Sequence, residues 1–226
     1  MSINKISFES KSKLVFFDLD GTITRHDTFM PYLLFCAMRR GIHLLKAPLV
    51  LPELIRYISG QSDRGKLKGY LIKTLLGGTS RKQIQQWTAS FIPKLLNHGI
   101  FEAARFAINQ HQAEGDYLVL MSASVDLYVP SIGAALGFNE TICSIVQWEG
   151  EVLSGQLYGE NVRGTEKLNC LMEISSRFPG FQITAYGNSE ADLAHLQLSN
   201  HPILINAGPA LQTAANNLNV TYKYWN

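Results

Sequence analysis

Two aspartates stand two residues apart in Asp18-Leu19-Asp20-Gly21-Thr22, directly after the apolar run Leu14-Val15-Phe16-Phe17. Carboxylates at i and i+2 on a loop leaving a buried strand can converge on one hard cation, and Gly21 permits the turn. Magnesium takes oxygen ligands and keeps several waters, so one or two carboxylates plus a substrate phosphate complete its shell. The same residues also suit an ordinary surface turn. Three further stretches carry polar groups at the end of an apolar run. Ser122-Ala123-Ser124 could cradle a phosphate with hydroxyls and backbone N–H groups, or could cap a following helix. Lys167 falls in the first turn of a helix opened by Arg163-Gly164-Thr165-Glu166. The helix dipole disfavours a cation there unless an anion is near, although most lysines are simply solvated. Gly187-Asn188-Ser189-Glu190-Ala191-Asp192 offers oxygen-bearing side chains to a metal, or an N-cap with acids in a first turn.

The elements that must position these residues fall into two kinds. Residues 14–17 read as a buried strand. From 27 to 114 the signals are helical: a helix capped by Asp27 and stopped at Gly41, a stretch interrupted by Pro48 and Pro52, a helix over 64–77, one opened by the capping box Ser80-Arg81-Lys82-Gln83, and one over 101–114 closed by Gly115. After 115, strands and helices alternate: strands over 117–121, 141–146, 181–186 and 202–205, helices over 126–136, 165–177 and 190–198. Gly150-Glu151 turns a hairpin between Val146-Gln147-Trp148 and Val152-Leu153. This order predicts a three-layer α/β fold, a Rossmann-like parallel sheet with helices on both faces. Residues 1–26 and 115–226 form the core and 27–114 an inserted all-helical cap. Sites in such sheets lie at the carboxyl ends of the strands, where all four polar stretches fall.

The 226 residues, 46% hydrophobic and 17% charged, suffice for one large core with an insertion. Cys36, Cys143 and Cys170 form no C-x-x-C pair, which argues against disulfides and thiolate metal sites and for a reducing cytoplasm. The polar residues 1–13 lack a signal peptide's apolar stretch, and no apolar run is long enough to span a bilayer. The net charge of +2 hides a split. Residues 28–99 hold eleven Lys or Arg against Glu53 and Asp63, a net of +9, which leaves −7 on the rest. The basic residues are spread over several helices without a binding motif, so nucleic acid is not the expected partner. The six histidines form no ligand-spaced cluster, and none is assigned to metal.

Phe16-Phe17-Asp18-Leu19-Asp20-Gly21-Thr22 and the three later stretches, in that order, resemble the haloacid dehalogenase superfamily of aspartate-nucleophile phosphatases. The resemblance implies that Asp18 is the nucleophile with an oxygen on Mg2+, and that Asp20 is the general acid/base and gives its carbonyl to the metal. It also implies that Ser122 holds the transferring phosphoryl group, that Lys167 neutralises charge, and that Asn188 and Asp192 face the metal. Thr22, Asp27, Ala123 and Ser124 are the substrate-binding candidates. Members that remove halide or pump ions lack an acid at the position of Asp20, so the resemblance favours a phosphomonoester hydrolase. One departure is Gly187-Asn188 where the family usually has Gly-Asp, which removes a negative charge from the metal site. A weakened binding or regulatory protein, and a phosphotransferase to an alcohol, are the alternatives.

The position of the insertion, and Asn161-Val162-Arg163-Gly164-Thr165-Glu166-Lys167, resemble the phosphoserine phosphatase branch. That branch reads the substrate amino group with a glutamate, and the matching residue here is the shorter Asp27. The cap interleaves Phe29, Tyr32, Leu33, Leu34, Phe35 and Met38 with Arg39-Arg40, and Leu44, Leu45, Leu49, Leu51, Leu54 and Ile55 with Lys46 and Arg56. A helical unit packing its own core fits this pattern. So does peripheral contact with an anionic inner-membrane surface. The cap and first-motif loop are also similar to bacterial phosphatidylglycerophosphate phosphatases of the superfamily, which extends the substrate expectation to a phosphorylated lipid head group.

Overall fold

The computed structural model describes residues 12–41 and 48–226. Most of the polar N-terminal stretch, and Leu44, Leu45 and Lys46 of the basic stretch, lie outside the described residues. The opening strand β1 (Leu14–Phe17) is buried throughout, and its side chains alternate between two cores. Leu14 and Phe16 pack on one face of the sheet with Val119, Leu171 and Leu204. Val15 and Phe17 pack on the other with Leu118, Leu120 and Tyr128.

Among the described residues, five α-helices follow before the chain returns to the sheet: α1 (Phe29–Arg40), α2 (Leu51–Ile58), α3 (Arg64–Leu76), α4 (Arg81–His98) and α5 (Glu102–Ala113). Then come β2 (Tyr117–Val125), α6 (Val129–Ala135), β3 (Glu140–Glu149), β4 (Val152–Tyr158), α7 (Thr165–Ser176) and β5 (Ile183–Gly187). A 3₁₀ turn (Glu190–Asp192), α8 (Leu193–Leu196), β6 (His201–Ile205), α9 (Pro209–Ala214) and β7 (Thr221–Lys223) complete the chain. Among the described residues, seven strands form one sheet in the order β4-β3-β2-β1-β5-β6-β7. Every pairing is parallel except the β3–β4 hairpin, which turns at Gly150-Glu151 as the sequence predicts.

The structure departs from the sequence reading at several places. Strand β2 runs on to Val125, with its register to β3 broken between Ser122 and Val125. The next helix therefore starts at Val129 rather than 126, and Ser122-Ala123-Ser124 lie on an irregular strand end instead of at a helix N-terminus. The stretch 190–198 is split into a 3₁₀ turn and one short α-turn. Helix α9 and edge strand β7 have no counterpart in the sequence reading. At Ser80 the hydroxyl accepts from Gln83 N–H, but the Gln83 side chain accepts from that hydroxyl instead of reaching the Ser80 backbone.

The inserted helices do not enclose a core of their own. Tyr32, Leu33, Ile72 and Phe91 belong to the same buried cluster as Val15, Phe17 and Tyr128. Hydroxyl pairs seam α1 to its neighbours: Tyr32 to Thr88 at 2.7 Å and Thr28 to Tyr128 at 2.9 Å. Helix α3 lies directly on β4, where a Cβ on Gly155 would come within 2.3 Å of Lys73 Cα. The link from α3 to α4 then hydrogen-bonds along the hairpin through Gly78, Thr79 and Arg81.

Gly155 also has φ +92, so Gly155→Ala combines left-handed backbone strain with a main-chain clash. Gly150, at φ +59, has nothing within 4 Å. Urea unfolding is expected to show about 1–2 kcal/mol lost for Gly150→Ala, the strain alone, and a clearly larger loss for Gly155→Ala. Equal losses would contradict the close α3–β4 seam.

Candidate active site

Strand β1 ends at Phe17, and Asp18 continues its ladder by donating its N–H to Tyr186 O of β5 at 3.0 Å. The Asp18 side chain is thereby fixed at the carboxyl edge of the sheet, nearly buried. Lys167, in the first turn of α7, is 3% exposed and reaches Asp18 Oδ1 at 2.5 Å and Asp192 Oδ1 at 2.6 Å. The other oxygen of Asp192 accepts from Ser189 Oγ at 2.7 Å, Ser189 N at 3.0 Å and Asn188 N at 3.2 Å. The sequence reading sets Asp192 facing the metal; here both its oxygens are taken by protein donors. It is the brace that orients Lys167 and the Asn188-Ser189 loop.

Asn188 lies against the first loop. A Cβ on Gly21 would fall 2.0 Å from Asn188 Nδ2, and Gly21 has φ +82, so only glycine lets the two loops meet. Asp20 Oδ1 accepts from Thr28 N at 2.7 Å and Thr28 Oγ1 at 2.6 Å, while Oδ2 accepts from Ser124 Oγ at 2.7 Å. Ser122 lies 3.5 Å from Asp20 Oδ2, but it is fully buried and its Oγ accepts from Ser124 N–H. Ala123 and Ser124, not Ser122, line the cleft. Thr22 does not line it either: the turn closed on Leu19 O buries it completely, with its hydroxyl unpartnered. Asp27 does line the cleft, but its Oδ1 accepts from Phe29 N and Met30 N, capping α1.

Two carboxylates thus hold one ammonium, and a third, Asp20, lies close enough to act on Asp18. Burial raises Asp18, Lys167 opposes this, and the nearby Asp192 and Asp20 add to the rise, so its pKa is pushed up to about 7. Burial also raises Asp20, against the donors from Thr28 and Ser124. For Lys167, burial works downward but the two carboxylates prevail and hold it charged. Burial works upward at Asp192, where Lys167 and the Ser189 hydroxyl prevail and hold it well below the usual carboxylate range. The buried Asp18 carboxylate and the all-oxygen donor set of Asp18, the Asp20 main chain and the Asn188 amide fit a small hard cation.

The cleft over these groups has a volume of about 830 Å³. Its far wall comes from residues the sequence reading did not single out as site residues. Lys68 of α3 donates to Ala123 O, and to Asn161 Oδ1 at 3.2 Å, with its ammonium 5.6 Å from the Phe29 ring centre. Burial lowers its pKa to about 8, against the pull of Asp20 and Asp27. Arg25, Arg64 and Arg163 join it, beside Phe29, Met30, Tyr57 and Leu67. The basic charge of 28–99 hinted at Arg64 and Lys68 alone, since long-range packing decides which basic side chains turn inward. A hollow of about 930 Å³ between α2, α3 and β4 shares no lining residue with the cleft.

His111, Glu114 and Asp116 bring ligand atoms within 4.8 Å of one another, a grouping the sequence spacing did not suggest. All are engaged: His111 bonds Asp116 at 2.7 Å and Tyr186 OH at 3.0 Å, while Glu114 and Asp116 accept from Lys13. They form a hydrogen-bonded brace, buried at His111 and Asp116 and exposed at Glu114, and no metal is assigned there.

Lys167→Met would leave two buried carboxylates without their counter-ion. Chemical denaturation of this variant without divalent ions is expected to show a loss of about 3–5 kcal/mol. A loss under 1 kcal/mol would contradict a buried, charged bridge.

Comparisons with known proteins agree with this arrangement. The family model described as haloacid dehalogenase-like hydrolase matches residues 15–197. The chain is 31% identical over 195 residues to Protein CicA of Caulobacter vibrioides, covering 83% of both chains. A solved protein of unknown function from Bordetella pertussis Tohama I has TM-score 0.79 at 20% identity, covering 94% of this chain and 98% of that one. A phospho-aspartyl intermediate analogue of phosphoserine phosphatase has TM-score 0.65 at 19% identity, covering 93% of each. With the four polar stretches gathered at one sheet edge, the chain belongs to the haloacid dehalogenase-like hydrolases and has the phosphoserine phosphatase-like fold.

Proposed function

We propose that the chain is a magnesium-dependent phosphatase that hydrolyses a phosphomonoester through an aspartyl-phosphate on Asp18. The observation that carries this reading is the buried Lys167 bridge between Asp18 and Asp192, with a second acid, Asp20, two residues from the first. A carboxylate oxygen of Asp18 attacks phosphorus, and the bond from phosphorus to the leaving alcohol oxygen breaks. Asp20, its pKa raised by burial, delivers the proton to that oxygen. Water then attacks the phosphoryl group on Asp18, Asp20 takes its proton, and inorganic phosphate leaves. Lys167 offsets the charge that gathers on Asp18 and the phosphoryl oxygens. Magnesium, held by Asp18, the Asp20 main chain and Asn188, would supply further neutralisation of the equatorial oxygens when bound. Thr28 and Ser124 orient Asp20 in both half-reactions.

The cleft wall favours an anionic substrate with an apolar portion. Arg25, Arg64, Lys68 and Arg163 stand beside Phe29, Met30 and Leu67, which fits a phosphorylated lipid head group or similar monoester. Phosphoserine is disfavoured, because Asp27, the acid placed to read its amino group, already caps α1.

Phosphate release from 4-nitrophenyl phosphate tests the reading. Turnover is expected to require magnesium and to vanish in Asp18→Asn, with the circular dichroism spectrum unchanged; Asp20→Asn is expected to slow it about 10²–10⁴-fold. Full turnover in Asp18→Asn would falsify the assignment. Magnesium is also expected to raise the melting temperature of the wild type and to do so less for Asn188→Ala, a readout independent of activity. The same shift in both proteins would remove Asn188 from the metal site.

A further inference from the structure

Helix α2 is inside out. Leu51, Leu54, Ile55 and Ile58, at i, i+3, i+4 and i+7, form one apolar stripe, and they are 56, 37, 57 and 75% exposed. The residue that α2 buries is Glu53, which accepts from Ser62 Oγ and pairs with Arg56 at 3.6 Å. A stripe at helical spacing ordinarily turns inward, because removing it from water is what holds a short helix in place. Here the solvent-facing side is the apolar one.

The charge around the stripe selects what could cover it. Arg56 and Lys66 are mostly exposed, each beside one acid (Glu53 at 3.6 Å and Asp63 at 3.4 Å), Arg64 donates to Tyr57 OH at 3.1 Å, and residues 28–99 as a whole keep a net +9. A second copy across a two-fold axis would set these cations against themselves, which opposes a symmetric dimer through this face. A nucleic acid would find aliphatic side chains where it needs aromatic stacking. An anionic lipid surface satisfies both features, taking the stripe into the acyl boundary and the cations among its head groups. The face also borders the cleft, since Tyr57 and Arg64 line its mouth. At about 12 Å, α2 can lie in an interface but not cross it; among the described residues no helix is long and apolar enough to span.

We propose that the exposed face of α2 docks on an anionic bilayer, with Leu51, Leu54, Ile55 and Ile58 in the interface and Arg56 and Lys66 against the head groups. This extends the lipid reading of the active site by naming the surface that brings the cleft to its substrate.

Sedimentation with vesicles tests it, using phosphatidylcholine alone and an equal mixture of phosphatidylcholine and phosphatidylglycerol. The wild-type chain is expected to bind the mixed vesicles about tenfold or more tightly than the neutral ones. The variant Leu54→Ser/Ile55→Ser/Ile58→Ser is expected to lose that binding about tenfold while its aryl phosphatase turnover and melting temperature stay at wild-type levels. Should that variant melt early, Arg56→Gln/Lys66→Gln serves in its place and is expected to lose the preference for anionic vesicles. Equal pelleting on both vesicle types, no pelleting on either, or wild-type pelleting by these variants overturns the proposal. A dimer in analytical ultracentrifugation that the triple variant dissolves would assign the face to a second copy and overturn it likewise. Pelleting needs no turnover. Docking by a chain without phosphatase activity would therefore sink only the catalytic reading, and turnover without docking only this one.

Discussion

A lysine buried to 3% exposure can keep its charge only if its lost hydration is replaced, and Lys167 replaces it with two carboxylates at 2.5 and 2.6 Å. Removing an ammonium from water costs several kcal/mol, and the attraction offsets this only when the partners are held at hydrogen-bond distance. Much of the architecture serves that condition. Asp18 leaves β1, Lys167 opens α7, and Asp192 closes the turn after β5. Parallel pairing sets Phe17 beside Tyr186, so the residues that follow each strand emerge at the same edge. The face-to-face stacking of those two rings, 4.2 Å between centres, holds the strand ends in register beneath the charges.

The second constraint is distance between backbones. Gly21 makes room for the Asn188 amide, and Gly187 makes room for Asp192, whose Cβ a side chain at 187 would meet at 2.6 Å. Both glycines let loops of opposite charge demand share one small volume. Asp18, Asp20 and Asp192 share that volume with Lys167, while Arg163 and Lys68 act on them from the cleft wall. Burial then drives Asp18 toward its neutral form, the state least suited to attack on phosphorus. A further positive charge bound at this edge would reverse that tendency, which is the part the proposed chemistry gives to magnesium.

What could be read from residues alone divides along the range of the interactions involved. The alternation of Leu14 and Phe16 against Val15 and Phe17, the hairpin at Gly150 and the helix caps at Asp63 and Ser80 are set by neighbours in the chain. The apolar run, the turn at Gly150 and the Ser80 cap were accordingly legible. The three residues of β7 carry little apolar signal and exist as a strand because β6 offers them a parallel edge. The roles of Ser122, Thr22 and Asp192 were obscured for a similar reason. Which hydroxyl faces the cleft depends on the β2–β3 register break, and which carboxylate binds Lys167 depends on the turn after β5. Lys68 was one basic residue among eleven until α3 was laid on β4.

The sequence pattern of the helices between β1 and β2 fits a unit packing its own core, yet their buried residues run continuously into the sheet's own cluster. Lys68 bonds Ala123 across the cleft, and the segment from Gly78 to Arg81 pairs with the β3–β4 hairpin. Movement of α1, α3 or α4 as a body would have to break that cluster and those hydrogen bonds together. Helix α2 is under no such constraint, because its apolar stripe contributes nothing to the cluster and its eight residues are too few to be stable in isolation. It packs mainly on α3, and the residue it buries is Glu53, which accepts from Ser62 in the loop between the two helices. The part of the insertion least tied to the sheet is therefore the part that borders the cleft mouth, while the wall carrying Lys68 is held to Ala123.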